Sequence, residues 1–334
     1  LCARGPRSAW HAAIDRAAAL IREGRLVAFP TETVYGLGAR ADDAAAVRAI
    51  FAAKGRPPGN PLIVHVASTA EARALAAAWP EAADRLAAAF WPGPLTLIVR
   101  RREGAGGVAP EAAAGGPTVA LRVPEHPVAL ALLRAAALPI AAPSANRSTA
   151  ISPTTADHVH KSLGARVDLV LDGGPTGYGI ESSIVDVTRD PAVLLRPGAI
   201  PLAALAACAA VVDPGARVEA EAGRAAAPGG YARHYAPRAR VLLVPAEAVR
   251  GEVLAIRAKG QRAGSLERGT PEDDRDPNAG PREALPDDPA GYAAGLYAAL
   301  HRLEDAGCDV IVIASAPEGD AWAAVRDRLR RAAA

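Results

Sequence analysis

The chain has no methionine, and aromatic residues occupy only 4% of its 334 positions. So few rings leave little on which bases could stack, which argues against a single-stranded nucleic-acid binder. Cysteine occurs three times, at Cys2, Cys208 and Cys308. That odd, widely spaced set has no CxxC pair and argues against both a disulfide framework and a structural zinc site. No charge-free apolar run approaches the roughly 18 residues of a membrane-crossing helix, so no membrane partner is expected. The amino terminus lacks the tripartite order of a secretory signal, and the cytoplasm is the expected compartment. Neither sign of charge prevails: 38 Lys and Arg face 36 Asp and Glu, a net charge of +2. No global field therefore draws the chain to nucleic acid or membrane, although a local basic pocket is compatible with it.

What is present is a large apolar fraction, 50%, with 22% charged residues. That suffices for a sizeable core, and at about 150 residues per domain the length predicts roughly two domains. Ser8 opens a predicted helix to Glu23, stopped by Gly24, and a strand follows over Leu26–Phe29. Residues 31–38 read as a loop, and Asp42 and Asp43 open a helix with Val47, Ile50 and Phe51 as its buried stripe. Further strands are expected at 62–66, 95–100, 119–123, 139–142, 167–171, 184–187 and 193–196. Helices are expected near 69–78, 81–89, 127–137, 155–163 and 201–209. This order lacks a strict βαβ rhythm and predicts an open, twisted, mixed α/β sheet over residues 8–212. Residues 213–238, rich in Pro and Gly, read as a linker. Residues 239–334 read as a smaller α/β domain, with parallel strands at 241–244 and 310–313, a helix near 290–306 and an exposed loop over 265–290.

Several polar segments sit at predicted strand edges, where ligands collect in α/β sheets. Lys54-Gly55-Arg56-Pro57 joins a helix end to a strand. Its two cations suit a polyanion, or simply the negative end of the helix dipole. Pro143-Ser144-Ala145-Asn146 follows an apolar strand and is either a turn or a source of hydroxyl and amide donors. Ser152-Pro153-Thr154-Thr155 is a helix cap or a phosphate site. Thr118 and Arg122, four apart in one strand, share a face. A buried Arg122 needs an anionic partner, from the protein or from a substrate. Thr31-Glu32-Thr33, Glu181-Ser182-Ser183 and Arg196-Pro197-Gly198 complete the set. There is no Walker phosphate loop and no HExxH, and Gly36-Leu37-Gly38 lacks the third glycine of a dinucleotide fingerprint. His158 and His160 read as surface residues, and Cys208 as packing.

Together these strings resemble the YrdC-type L-threonylcarbamoyladenylate synthases in their long, two-domain form. The resemblance runs through Pro30–Leu37, Lys54–Pro57 with Asn60-Pro61-Leu62, Pro143–Asn146, Glu181–Asp186, Leu195–Gly198 and, in the linker, Arg233–Pro237. It implies a YrdC-like fold around a positively charged cavity, then the linker and a Rossmann-like extension. It also implies conversion of L-threonine, bicarbonate and ATP, with Mg2+, to threonylcarbamoyl-AMP and pyrophosphate. A downstream threonylcarbamoyl transferase machinery then modifies ANN-decoding tRNA, which leaves room for a weak tRNA contact.

The family's Lys-x-Arg and Ser-x-Asn quartet falls on Lys54, Arg56, Ser144 and Asn146. Its ATP contacts fall on Arg56, Asn60, Thr118, Ser144, Ser152, Arg196 and Tyr235. Its threonine contacts fall on Thr33, His65, Arg122, Ser182 and the main chain at Ala142. The linker departs from the family in lacking a methionine and a lysine soon after Pro228-Gly229, and Ser183 stands where threonine is common. Two rivals are a non-catalytic RNA binder with a similar cavity and a carbamoyl transferase using the same adenylate chemistry.

Overall fold

The computed structural model describes residues 7–214, 228, 235–269 and 280–334. The rest of the expected linker, with Arg233 and His234, lies outside the described residues, as does Cys2. The chain divides into two compact units. The first comprises Leu1–Ser148, Pro153–Gly177 and Glu181–Gly230; the second comprises Thr149–Ser152, Tyr178–Ile180 and Tyr231–Ala334.

In the first unit, helix α1 (Arg7–Arg22) leads into a hairpin of β1 (Val27–Pro30) and β2 (Tyr35–Arg40). Strand β2 corrects the expected loop over 31–38. Only residues 31–34 turn, closed where the Thr31 hydroxyl donates to the Val34 carbonyl at 2.7 Å. The glycines that suggested a loop are there for contact. A Cβ on Gly38 would lie 2.7 Å from the Phe29 ring and 2.9 Å from Ile140.

Helix α2 (Ala44–Lys54) is capped by Asp43, whose carboxylate accepts from the Ala45 and Ala46 amides, and it ends at Gly55 with φ 63°. Next come β3 (Ile63–His65), α3 (Thr69–Ala74), β4 (Ala76–Ala78), α4 (Glu81–Phe90), β5 (Leu95–Arg101) and β6 (Thr118–Arg122). The helix expected over 69–78 thus stops early, because Ala76–Ala78 pairs with the carboxy-terminal end of β5. The unit continues through α5 (Pro127–Ala136), β7 (Ile140–Ala141), α6 (Ala156–Leu163), β8 (Leu169–Val170), β9 (Ser183–Asp186), β10 (Ala192–Arg196), α7 (Leu202–Cys208) and β11 (Val211–Val212). These strands form one mixed sheet in the order β11-β10-β9-β5-β6-β3-β7-β2-β1-β8, with β4 beside β5.

The faces of this sheet differ, and the difference places the site. On one face Leu37, Val64, Leu97, Leu121 and Val185 join a large core with Val47, Ile50 and Leu86 of the helices. On the other, α1 and α5 pack over Val27, Phe29 and Ile140 toward the β8 end. Beside that packing and on the same face, Ile63, Ile98, Ala120 and Ile184 form a small separate apolar floor on the central strands. Side chains alternate along a strand. His65, Thr96, Arg122, Thr118 and Ser182 therefore share the face of that floor.

The second unit carries β12 (Arg240–Val244), α8 (Val249–Ala258), β13 (Ala263–Arg268), β14 (Arg282–Leu285), α9 (Pro289–Asp305), β15 (Val310–Ala314) and α10 (Ala323–Ala333). Its four strands are parallel, in the order β12-β15-β13-β14. The parallel pair expected at 241–244 and 310–313 lies side by side. The exposed loop expected over 265–290 is corrected: β13 and β14 occupy both its ends, and α9 begins within it.

Candidate active site

Lys54 ends α2 with its side chain buried, 2% exposed. Its ammonium Nζ donates to the main-chain carbonyls of Ser144, at 2.6 Å, and Asn146. The Lys54 carbonyl in turn accepts the Ser148 amide at 2.8 Å. One residue thus fastens the 143–148 turn to the helix end twice. Burial, reinforced by the Arg56 cation, pushes the Lys54 amine well below its ordinary pKa.

The same turn is stitched to the hairpin. The Leu37 amide donates to the Pro143 carbonyl and the Ala145 amide to the Tyr35 carbonyl, each at 2.8 Å. Asn146 Nδ2 donates to the Arg147 carbonyl at 2.9 Å, and Ser144 is half-buried. Arg56 Nε and Nη2 donate to the carbonyls of Asn60 (3.2 Å) and Pro61 (2.9 Å), so the guanidinium shapes its own loop. Lys54, Ser144 and Asn146 therefore form one cluster, with Arg56 near enough for its charge to act on Lys54.

A second cluster lies over the apolar floor. Register sets His65 of β3 beside Arg122 of β6. Arg122 Nη1 donates to Thr33 Oγ1 at 3.1 Å, and Nη2 forms a 2.5 Å ion pair with Glu32 Oε1. The anionic partner that a buried Arg122 requires is therefore internal. His65 is 3% exposed, and its ring packs edge-on to Phe29. Burial first, then the Arg122 cation, pushes the imidazole down to about 3, so it is neutral near pH 7.

At the far side, Arg196 Nε and Nη2 donate to the Ser182 carbonyl (3.0 Å) and hydroxyl (3.1 Å), while Nη1 reaches the Pro228 carbonyl at 3.2 Å. Ser182 Oγ also lies 2.8 Å from Thr96 Oγ1. The Ala142 amide donates to the Ile63 carbonyl at 2.9 Å, joining the two clusters through the sheet.

Two of the expected residues belong to the second unit. Ser152 is buried, with His301 Nε2 3.3 Å from its carbonyl. Tyr235 is buried at φ 60°, its ring between Tyr297 (5.8 Å) and the Arg328 guanidinium (5.4 Å). A hollow of about 390 Å³ also lies in that unit, but its rim is charge-paired, Arg262 with Asp309 and Arg238 with Glu304, and it holds none of the expected residues. Sequence reasoning gave no role to Glu32 and passed over Thr96. For Thr96 the one signal was a hydroxyl in the otherwise apolar run Leu95–Val99.

The depressed imidazole has a consequence for stability. The unfolded chain binds a proton at His65 near pH 6.5, whereas the folded chain resists until about 3. The contribution is full above 6.5 and is lost as pH falls toward 3. Thermal melts across that window should show a shallower acid decline for His65→Gln than for the wild type; parallel curves would refute the assignment.

A mixed sheet with cations and hydroxyls gathered on one face of its central strands, followed by a parallel α/β unit, defines a two-domain α/β protein. Residues 19–198 match the Sua5/YciO/YrdC family model, described as telomere recombination, and residues 200–334 match the threonylcarbamoyl-AMP synthase C-terminal domain. The chain belongs to this family and is a two-domain, ATP-utilising threonylcarbamoyl-AMP synthase of the Sua5/YrdC type. It is 43% identical to the threonylcarbamoyl-AMP synthase of Pyrococcus abyssi, covering 95% of this chain and 92% of the relative. It is 41% identical to that of Bacillus subtilis, covering 96% and 92%. The crystal structure of Pyrococcus abyssi Sua5 complexed with L-threonine superposes with a TM-score of 0.88 at 40% identity, covering 97% of this chain and 94% of that one.

Proposed function

We propose that the Arg122 cluster receives L-threonine and the Lys54–Asn146 cluster, with Arg196, the phosphates of ATP. The threonine amine and bicarbonate form a carbamate and water. A carbamate oxygen then attacks the α-phosphorus, the bond to the bridging oxygen breaks, and pyrophosphate leaves. The observation that carries this reading is the shared face of His65, Arg122, Thr96 and Ser182 over one apolar floor. None of these is an activated nucleophile, which suits catalysis by positioning and charge stabilisation. Magnesium enters as part of the MgATP substrate, coordinated through phosphate oxygens and water.

In this reading residues 8–212 are catalytic, 213–238 link and 239–334 extend the enzyme. The product passes to a transferase acting on tRNA, and any direct tRNA contact is weak. The described residues contain no helix long and apolar enough to cross a membrane.

Pyrophosphate release should require threonine and bicarbonate together. An RNA binder would release none, and a carbamoyl transferase would release it without threonine. In the same assay Arg56→Ala should lower turnover by about a hundredfold, the scale of losing a charge-stabilising donor, with an unchanged circular dichroism spectrum. Wild-type turnover in that variant would remove Arg56 from the phosphate role.

A further inference from the structure

Glu32 and Arg122 are both buried, 7% and 3% exposed. Each is held on more than one side. Glu32 Oε1 takes the guanidinium, and Oε2 accepts the Glu125 amide at 3.1 Å. The Glu32 backbone lies in the turn closed by Thr31. Arg122 donates through Nε to the Gly93 carbonyl at 3.2 Å, through Nη1 to Thr33 and through Nη2 to Glu32. A guanidinium carries five N–H groups. Among the described residues these contacts use three and leave one on each terminal nitrogen. That is the number a carboxylate needs for a two-point grip. With His65 neutral, Glu32 and Arg122 sum to zero charge. A zwitterionic amino acid enters such a cluster without stranding a buried charge, whereas a dicarboxylic one brings an excess anion.

We propose that Glu32 is a positioning residue of the amino-acid subsite. It fixes Arg122 so that its two remaining N–H groups meet the substrate carboxylate, and it cancels the guanidinium charge so that the subsite takes neutral α-amino acids. This rests on the reading that the Arg122 cluster receives L-threonine, with Arg122 as the anchor of its carboxylate. Removing the Glu32 charge leaves the guanidinium free to turn toward neighbouring carbonyls, and the anchor is lost although a cation remains.

Steady-state pyrophosphate release by the full chain tests this, with separate titrations of threonine and ATP. Glu32→Gln should raise the KM for threonine about tenfold or more, leave the KM for ATP within twofold and lower kcat less than threefold. Glu32→Asp, which keeps the charge, should give a smaller rise. An unmoved or lowered threonine KM in Glu32→Gln would overturn the proposal, as would a parallel rise in both KM values. Should Glu32→Gln fail to fold, judged by its melting curve, Glu32→Asp decides by the same split between the two KM values. Arg122→Lys separates the layers. If it raises the threonine KM while the Glu32 variants do not, the proposal alone fails. If it leaves that KM unmoved, the anchor reading fails and the proposal with it.

Discussion

Lys54→Met should lower pyrophosphate release by about a hundredfold or more, because misplacing a reacting group by 1 Å can cost that much. Methionine fills much the same space but donates nothing. The carbonyls of Ser144 and Asn146 then lose the Nζ contact that draws them to the end of α2. A hydrogen bond from a charged donor contributes about 1.5–3 kcal/mol, so the melting temperature falls as well. The loss in rate should exceed what that instability explains when assayed well below the melting temperature. Wild-type turnover in Lys54→Met would show that the turn keeps its shape without the ammonium.

Gly198→Ala should have the largest effect on stability. A Cβ there would collide with the Ser183 amide nitrogen and sit 2.5 Å from the Ser182 carbonyl carbon and 2.7 Å from the Glu181 oxygen. All three are main-chain atoms, so no side-chain rotation relieves the contact. The start of β9 must move, and Ser182, bonded to Arg196, moves with it. We expect a loss of about 3 kcal/mol, the upper end of the usual cost of overpacking. For a unit of this size that corresponds to a fall in Tm of about 6–12 °C. A melting curve superimposable on the wild type would show that the backbone there yields freely.

Where local chemistry and long-range contact agree, the sequence was legible. Asp43, the Val47–Ile50–Phe51 stripe and Gly55 mark α2 from both ends, and the structure places the helix there. Strand β2 was hidden because its glycines look like turn residues, whereas Gly38 answers to Phe29 and Ile140 from other parts of the chain. Strand β4 is three alanines, which carry no strand preference of their own. Strands β13 and β14 were hidden by their polar ends, Glu267 with Arg268 and Arg282 with Glu283.

The site divides in the same way. Polar residues at strand ends could be picked out one by one, since each interrupts an apolar run. The partner of Arg122 could not, because Glu32 lies 90 positions away and only the fold brings the two together.

The double attachment of Lys54 to the 143–148 turn has a bearing on the cost of recognition. Helix end and turn move as one body, so the donors at Ser144 and Asn146 surrender their freedom while the chain folds, before any nucleotide arrives. Little disorder then remains to be removed on encounter, and more of each contact's strength is available for holding the ligand.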